Sequence, residues 1–283
     1  MAPQGARHPA LVTAEKALAA PDAWRFVDAS WHLDKARNAD AEYAAAHIPG
    51  AVRFDLDKVC NLETDLPHML PMPEAFAAAI GGLGIDEATP VVLYEAGALF
   101  STPRVRWTFE TMGARNVMIL DGGLPAWREA GGQVTDAPAQ PMPRVFTTDF
   151  DPQRVVGFDE MQGLVADGAT QIVDARPAGR FEGTAPEPRP GLRCGAMPGA
   201  INVPASDLIA DGSLKDTATL AEIFAGAGLD LSRPIVTTCG SGVTAAILHF
   251  GLEAVGAQNV RLYDGSWAEW GQPHLDTPVI GAA

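Results

Sequence analysis

Short apolar runs rich in β-branched residues recur along the chain and alternate with longer segments of helical character. The apolar runs are residues 25–28, 91–94, 117–120, 172–174 and 235–238. Helices are predicted after two of these runs, at residues 103–112 and 243–255. Buried strands that alternate with helices are typical of a mainly parallel sheet covered by helices, so the pattern predicts an α/β fold.

The two halves of the chain contain the same short sequences in the same order. VDA at 27–29 returns at 173–175, PGA at 49–51 returns at 198–200, and GARNV at 113–117 returns as GAQNV at 256–260. Each pair is separated by roughly 145 residues, about the size of one domain. We therefore predict a tandem duplication, with a first domain at residues 1–136, a proline-rich linker at 137–152 and a second domain at 153–283.

The charge of the chain limits its partners. The formal net charge of −15 argues against non-specific binding to nucleic acid or to an anionic membrane, because both require a positive field. No apolar run reaches the roughly 18 residues of a membrane span, and the amino terminus lacks the apolar core of a secretory signal. A cytoplasmic protein is therefore expected, in which any anionic substrate must be bound by a local group of arginines.

The three cysteines of the chain point to chemistry rather than to cross-links. Cys60, Cys194 and Cys239 are too few and too far apart for a disulfide framework, and none belongs to a zinc-binding pattern. Free thiols are expected, and no metal or organic cofactor is predicted.

Cys239 stands between the predicted strand at 235–238 and the predicted helix at 243–255, in the sequence TTCGSGVTAA. Gly240 and Gly242 reduce side-chain bulk, so backbone N–H groups of this turn can converge on an anion. A thiol that faces a helix N-terminus ionises readily, and the thiolate is the nucleophile. We predict a reactive thiolate at Cys239, with a buried cysteine packed as a small hydrophobe as the alternative. The first half has Glu95 and Ala96 at the equivalent place, so only the second domain is expected to be catalytic.

These features resemble the tandem-domain rhodanese family of sulfurtransferases, and CGSGVTA at 239–245 is similar to its 3-mercaptopyruvate branch. The resemblance covers nearly the whole chain. The other motifs that carry it are FDLD at 54–57, PHMLP at 67–71, LDGG at 120–123, DARPAGRFEGTAPEPRPG at 174–191 and PGAINVP at 198–204. It implies two rhodanese-like domains and a Cys239 persulfide that is formed from 3-mercaptopyruvate with release of pyruvate. The implied acceptor is cyanide or a thiol, either a small thiol or a thioredoxin-like protein.

The resemblance also implies how the substrate is bound. Arg180 and Arg189 would hold its carboxylate, for which the planar donor fork of arginine is well suited. Asp57 and His68 would reach from the first domain toward Ser241 and relay a proton. The backbone N–H groups of the turn would stabilise the persulfide anion. The residues of that turn are Gly240, Ser241, Gly242, Val243 and Thr244.

Three alternatives remain to a sulfurtransferase that uses 3-mercaptopyruvate. Family members that prefer thiosulfate have basic side chains after the cysteine, whereas the neutral Gly240 and Ser241 favour a monoanionic keto acid; thiosulfate stays the alternative donor. The second alternative is a cysteine phosphatase, which needs an arginine six residues after the cysteine to bind phosphate. Ala245 occupies that position, which argues against phosphatase activity. A non-catalytic rhodanese-like binding module is the third alternative.

Cys194 is a candidate redox partner of Cys239, although a spectator thiol is the simpler interpretation.

Overall fold

Two five-stranded parallel sheets, one in each half of the chain, organise the molecule in a computed structural model that describes residues 5–281. The first half contains β1 (Leu11–Val12), β2 (Arg25–Asp28), β3 (Val52–Arg53), β4 (Val91–Tyr94) and β5 (Val117–Leu120). The second half contains β6 (Val155–Val156), β7 (Gln171–Asp174), β8 (Ile201–Asn202), β9 (Ile209–Ala210), β10 (Ser213–Leu214), β11 (Ile235–Thr238) and β12 (Val260–Tyr263).

The strand orders of the two sheets are equivalent, which confirms the predicted pair of α/β domains. The first sheet runs β1-β5-β4-β2-β3 and the second runs β6-β12-β11-β7-β8, with all neighbours parallel. Strands β9 and β10 form a separate antiparallel hairpin. In both sheets the central strand, β4 or β11, is buried at all four positions, as expected for a parallel strand enclosed on both faces.

Helices connect the strands of both domains. Those of the first domain are α1 (Ala14–Ala19), α2 (Ala39–Ala45), α3 (Pro73–Gly82), α4 (Thr102–Thr111) and α5 (Gly123–Glu129). Those of the second are α6 (Phe158–Asp167), α7 (Ala178–Phe181), α8 (Thr217–Gly226), α9 (Ala245–Ala254) and α10 (Ser266–Trp270). Within residues 5–281, none of these helices is long and apolar enough to span a bilayer.

Helix α9 begins two residues later than the sequence pattern predicts. The apolar Val243 continues the pattern, but Gly242 has a left-handed φ of 77°, and the helix starts at Ala245. Residues 239–244 therefore form an open loop. Helix α4 forms one residue earlier than predicted, and its first turn contains Pro103, where the missing N–H of proline costs nothing.

The two domains share one apolar core. A single cluster of buried side chains contains Val105 and Phe109 of α4 together with Ala246 and Phe250 of α9. These two helices pack against each other across the domain boundary. Because this surface is apolar and continuous, the hydrophobic effect fixes the relative position of the domains.

The proline-rich segment at 137–152 was expected to be a linker outside the core, and this is wrong at Phe146. Phe146 is buried, and its ring packs edge-on against Phe76 with centroids 5.3 Å apart. The backbone also follows the first domain, since Arg144 N–H donates to the Gly81 carbonyl at 2.9 Å. A large aromatic side chain in a proline-rich stretch is the signal that was missed. The domain limits themselves remain predictions.

In each domain, the segment that follows the third strand contacts the other domain. In the first domain this segment follows β3, and Leu70 N–H donates to Asp264 Oδ2 of the second domain at 2.8 Å. In the second domain the segment is the β9–β10 hairpin, where the Gly212 carbonyl accepts from Leu99 N–H at 2.9 Å. Ser213 of this hairpin contacts Asp121, which is the repeat equivalent of Asp264. The duplication therefore produces a reciprocal contact, and one side of it covers the carboxyl end of β11.

Candidate active site

Cys239 lies at the carboxyl end of β11 and is 2% exposed. Its carbonyl accepts from Trp267 N–H at 2.9 Å, and its own N–H donates to Ser266 Oγ at 3.3 Å. The four residues that follow, Gly240, Ser241, Gly242 and Val243, complete the turn before Thr244 and α9. The predicted strand, turn and helix are present, and the backbone of Cys239 is held from both sides.

The first domain illustrates how such a turn supplies several backbone hydrogen-bond donors to one side chain. Glu95 follows β4 as Cys239 follows β11, and it is 5% exposed. Its Oε1 accepts from the backbone N–H groups of Phe100, Ser101 and Thr102 at 2.7, 2.9 and 2.9 Å. Burial raises the pKa of Glu95 to about 7, while these hydrogen bonds act in the opposite direction. A carboxyl oxygen of Glu95 thus occupies the convergence point of N–H groups at the start of α4.

His68 brings the first domain into contact with the turn that follows Cys239. Its Nδ1 is 3.1 Å from Ser241 Oγ, and its Nε2 is 3.0 Å from Asp57 Oδ1. Trp31 Nε1 donates to the same Asp57 oxygen at 3.0 Å. The structure thus brings together Asp57, His68 and Ser241, as the sequence analysis expected.

The protonation states within this chain follow from burial and from charge. Burial lowers the pKa of His68, so the imidazole is neutral near neutral pH. The hydrogen bond from His68 is the main cause that lowers the pKa of Asp57, which is therefore a carboxylate. An acceptor at Nε2 selects the tautomer with Nε2–H, because that nitrogen must donate to Asp57. Nδ1 is then free to accept the hydroxyl proton of Ser241.

Two residues that the sequence analysis missed hold this histidine in place. Arg104 of α4 is 1% exposed, and its Nη2 donates to the His68 carbonyl at 2.6 Å and to Asp264 Oδ1 at 2.5 Å. Asp264 also accepts from Leu70 N–H, so both sides of the turn at His68 are fixed. No local pattern marked Arg104, because the predicted helix at 103–112 contains a second arginine, Arg106, and the partner that a buried charge requires is revealed only by the fold.

Arg180 lies on α7 beside the cysteine turn. A Cβ added to Gly240 would lie 2.9 Å from Arg180 Nη2, so the guanidinium rests directly against this glycine. Arg180 Nε donates to Glu187 Oε2 at 3.1 Å, and Nη2 contacts the same oxygen. The side chain of Glu187 is 2% exposed and is also bound by Arg176 Nη1 at 2.8 Å. Glu187, missed by the sequence analysis, therefore orients Arg180.

Arg189 is the second arginine of the site and is half-buried. Burial is the main cause that lowers its pKa; the nearby charge of Arg180 acts in the same direction and that of Cys239 in the opposite one. The two predicted arginines thus lie close to each other and to the sulfur. No hydrogen-bond acceptor from residues 5–281 engages the Arg189 guanidinium, which leaves its donors available to a carboxylate.

The remaining cysteines are free thiols like Cys239. Cys60 Sγ donates to the Asp57 carbonyl at 3.3 Å, and burial raises the pKa of the Cys60 thiol. Cys194 is half-buried. The predicted redox partnership between Cys194 and Cys239 stays a prediction. In the described residues, no group of His, Cys, Asp and Glu side chains has the arrangement of a metal site.

With this geometry established, the comparisons with known proteins decide the family. Residues 13–130 and 158–273 each match the rhodanese-like domain. The chain belongs to the rhodanese family. Both copies are present, and only the second rhodanese domain carries a cysteine at the end of its central strand.

Relatives of this rhodanese chain include proteins named as sulfurtransferases. The chain is 43% identical over 243 residues to the 3-mercaptopyruvate sulfurtransferase of Escherichia coli K12, covering 86% of each protein. It is 40% identical over 271 residues to the human 3-mercaptopyruvate sulfurtransferase, covering 92% of this chain and 91% of the human one. The crystal structure of SseA from Escherichia coli, described as a 3-mercaptopyruvate sulfotransferase, superposes with a TM-score of 0.84 at 38% identity, covering 92% of this chain and 99% of that one.

Proposed function

We propose that this protein is a 3-mercaptopyruvate sulfurtransferase that carries the transferred sulfur as a persulfide on Cys239. The relatives that match over most of the chain bear this activity in their names. The observation that carries the proposal is the arrangement of side chains around Cys239. Cys239 lies on a turn flanked by Arg180 and Arg189, and Ser241 on the same turn is hydrogen-bonded to His68.

The first half-reaction loads the cysteine. The Cys239 thiolate attacks the sulfur of 3-mercaptopyruvate, an S–S bond forms, and the electron pair of the breaking C–S bond passes to the carbon fragment as the enolate of pyruvate. The proton of the substrate thiol moves through Ser241 and His68 to the enolate carbon. Pyruvate leaves, and Cys239 carries a persulfide anion. The neutral His68 can perform this relay because its Nδ1 accepts a hydrogen bond from Ser241. Its Nε2 keeps its proton and continues to donate it in a hydrogen bond to Asp57.

Substrate orientation is assigned to the two arginines. Arg189 has free donors, and Arg180 is held by a single carboxylate oxygen of Glu187, so both can present N–H groups to the substrate carboxylate. Placed in this way, a three-carbon acid directs its sulfur toward Cys239. The arginines also supply the positive charge that a protein of net charge −15 otherwise lacks.

The persulfide is stabilised by the turn itself. Backbone N–H groups of the turn from Gly240 to Thr244 lie at the start of α9, where the helix dipole favours negative charge. Glu95 in the first domain provides the internal comparison of geometry, because an equivalent turn there binds one carboxyl oxygen with three N–H groups.

The second half-reaction unloads the cysteine. A thiolate or cyanide attacks the outer sulfur, the S–S bond breaks, and Cys239 leaves as the thiolate that began the cycle. Cyanide yields thiocyanate, and a thiol yields a new persulfide. A small thiol or a thioredoxin-like protein is the acceptor we propose. Two separate half-reactions predict ping-pong kinetics.

The decisive experiment is mass spectrometry of the protein after addition of 3-mercaptopyruvate without an acceptor. We expect the mass to increase by one sulfur atom, located on the peptide that contains Cys239, and to return to its starting value after addition of cyanide. The Cys239→Ser variant is the control and should gain nothing.

Thiosulfate serves as the competing donor in the same experiment. The neutral Gly240 and Ser241 predict slower loading from this dianion than from 3-mercaptopyruvate. Faster loading from thiosulfate would identify the protein as a thiosulfate sulfurtransferase. Absence of loading from both donors would leave the non-catalytic binding module as the better interpretation.

A further inference from the structure

The repeat contains one substitution that concerns Cys239 directly. The motif at 121–123 is DGG in the first domain, and its equivalent at 264–266 is DGS in the second. Gly123 and Ser266 have almost the same backbone conformation, with φ of 60° and 50°. This left-handed region suits glycine and is sterically unfavourable for a residue that carries a Cβ. The domain that contains Cys239 therefore has a serine at the position where the first domain has a glycine.

The hydroxyl of Ser266 explains what the second domain gains from this substitution. Ser266 is fully buried, and its Oγ accepts from Cys239 N–H at 3.3 Å while donating to the Tyr263 carbonyl at 3.0 Å. The next residue, Trp267, donates its N–H to the Cys239 carbonyl at 2.9 Å. Two consecutive residues thus bind the peptide groups on both sides of the nucleophile.

The first domain has only one of these two contacts. Leu124 N–H donates to the Glu95 carbonyl at 2.8 Å, which repeats the Trp267 contact. Gly123 has no side chain to supply the other, and a Cβ there would lie 2.6 Å from the Glu95 carbonyl oxygen. The additional hydrogen bond is therefore specific to the domain that contains the cysteine.

We propose that Ser266 is a positioning residue, whose hydroxyl binds the Cys239 amide and so fixes the direction in which the sulfur faces the turn and the sulfur donor. This inference rests on the proposed sulfur transfer at Cys239. A nucleophile must hold its attack geometry closely, since a displacement of about 1 Å can cost about 100-fold in rate. The unfavourable backbone conformation of Ser266 is retained because the hydroxyl has to approach from this side.

The test compares Ser266→Gly with Ser266→Ala. Both variants remove the hydroxyl, but glycine also relieves the left-handed strain, whereas alanine keeps it. We expect kcat for pyruvate release to fall by about 10-fold to 100-fold in both. KM should change little, because Arg180 and Arg189 are intact. The denaturation midpoint of Ser266→Gly should match or exceed that of the wild type. Asp276→Gly is the matched control, because it relieves strain at an exposed left-handed position with φ of 49° and should leave kcat unchanged.

A second measurement is independent of sulfur transfer. The rate at which iodoacetamide alkylates Cys239, followed by peptide mass spectrometry across pH, should differ between the wild type and both Ser266 variants. Wild-type kcat together with a wild-type alkylation profile in Ser266→Gly would overturn the proposal, as would a loss of kcat in Ser266→Gly but not in Ser266→Ala. If the wild type itself accepts no sulfur, the proposed function fails, and the alkylation profile still decides the role of Ser266.

Discussion

Strained backbone at individual residues coincides with the candidate active site. Among residues 5–281, four residues other than glycine have a left-handed φ: His68, Asp211, Ser266 and Asp276. Asp211 and Asp276 are exposed, whereas His68 and Ser266 are buried and contact the turn that begins at Cys239. Such strain persists only where surrounding contacts enforce it. For His68 these contacts come from Arg104 and from the neighbouring Leu70, which is bound to Asp264.

The pH dependence of activity follows from the burial of His68. Because burial lowers the pKa of His68 below the usual value of about 6.5, the proposed proton relay should stay intact until the pH falls below this lowered pKa. We expect kcat/KM of the wild type to decline only on this acid side. His68→Asn should reduce kcat/KM by about 100-fold to 10,000-fold and abolish the acid limb. Asparagine tolerates the left-handed conformation, so the fold is retained.

The measurement is a pH profile of pyruvate release for both proteins, with circular dichroism as the control for folding. Near-wild-type activity in a folded His68→Asn protein would contradict the relay. An acid limb that persists unchanged in the variant would assign the titration to another group.

At the scale of elements, the turn between β11 and α9 has no space for added side chains. Gly242 adopts φ of 77°, and a Cβ on it would lie 2.7 Å from Arg104 Nη1 and 3.2 Å from the Asp264 carbonyl oxygen. The turn of the second domain is therefore packed directly on the arginine from α4 that holds His68. The glycine satisfies two requirements at once, a backbone conformation and a close approach.

Substitution of this glycine separates the two requirements. Gly242→Ala should lower kcat strongly, by about 100-fold, because the methyl group displaces Arg104 and with it His68. Gly256→Ala is the matched control: Gly256 has φ of 83°, but no atom lies within 4 Å of an added Cβ. It should cost about 1–2 kcal/mol of backbone strain and leave kcat unchanged. Steady-state kinetics and urea denaturation of both variants provide the comparison, and equal kcat values would refute the packing argument.

At the scale of the whole molecule, the duplication left two equivalent aspartates, Asp121 and Asp264, that bind different arginine partners. Asp264 is 4% exposed and binds Arg104 of the other domain in a buried ion pair. Its repeat equivalent Asp121 binds Arg7 of its own domain at 2.7 Å, in a pair whose arginine side chain is 42% exposed. Only the buried pair lies beside the cysteine turn. The first domain thus contributes Asp57, His68 and Arg104 to a site whose proposed nucleophile, Cys239, belongs to the second domain.

Removal of one partner from each pair tests this difference. Arg104→Met should destabilise the protein by about 3 kcal/mol, because it leaves Asp264 buried without its cation. It should also lower kcat, since the His68 carbonyl loses its donor. Arg7→Met should cost less than about 1 kcal/mol and leave kcat unchanged, because exposed ion pairs contribute little. Urea denaturation and steady-state kinetics measure both effects. An Arg104→Met protein as stable and as active as Arg7→Met would contradict the role of the buried pair.

The sequence by itself determined the duplicated α/β architecture and the position of the proposed nucleophile, Cys239. Strand β4 is a contiguous apolar run, strand β11 is a contiguous β-branched run, and the cysteine turn is a continuous stretch of chain from residue 239 to 244. Patterns of this kind are local, so the spacing of apolar residues and the positions of glycines reveal them without knowledge of the fold. The residues Asp57, His68, Arg180 and Arg189 were reached only through motifs that resemble the rhodanese family.

Tertiary structure alone decided how the site is held together. Arg104 and Asp264 are separated by 160 residues, and no local pattern indicates that the two charges meet. The hydroxyl of Ser266 reaches Cys239 N–H across 27 residues, and Glu187 orients Arg180 from within an irregular loop. Phe146 is buried only because the linker folds back onto the first domain. These contacts depend on the packing of distant segments, which the shared apolar core of the two domains fixes and which periodicity along the chain does not encode.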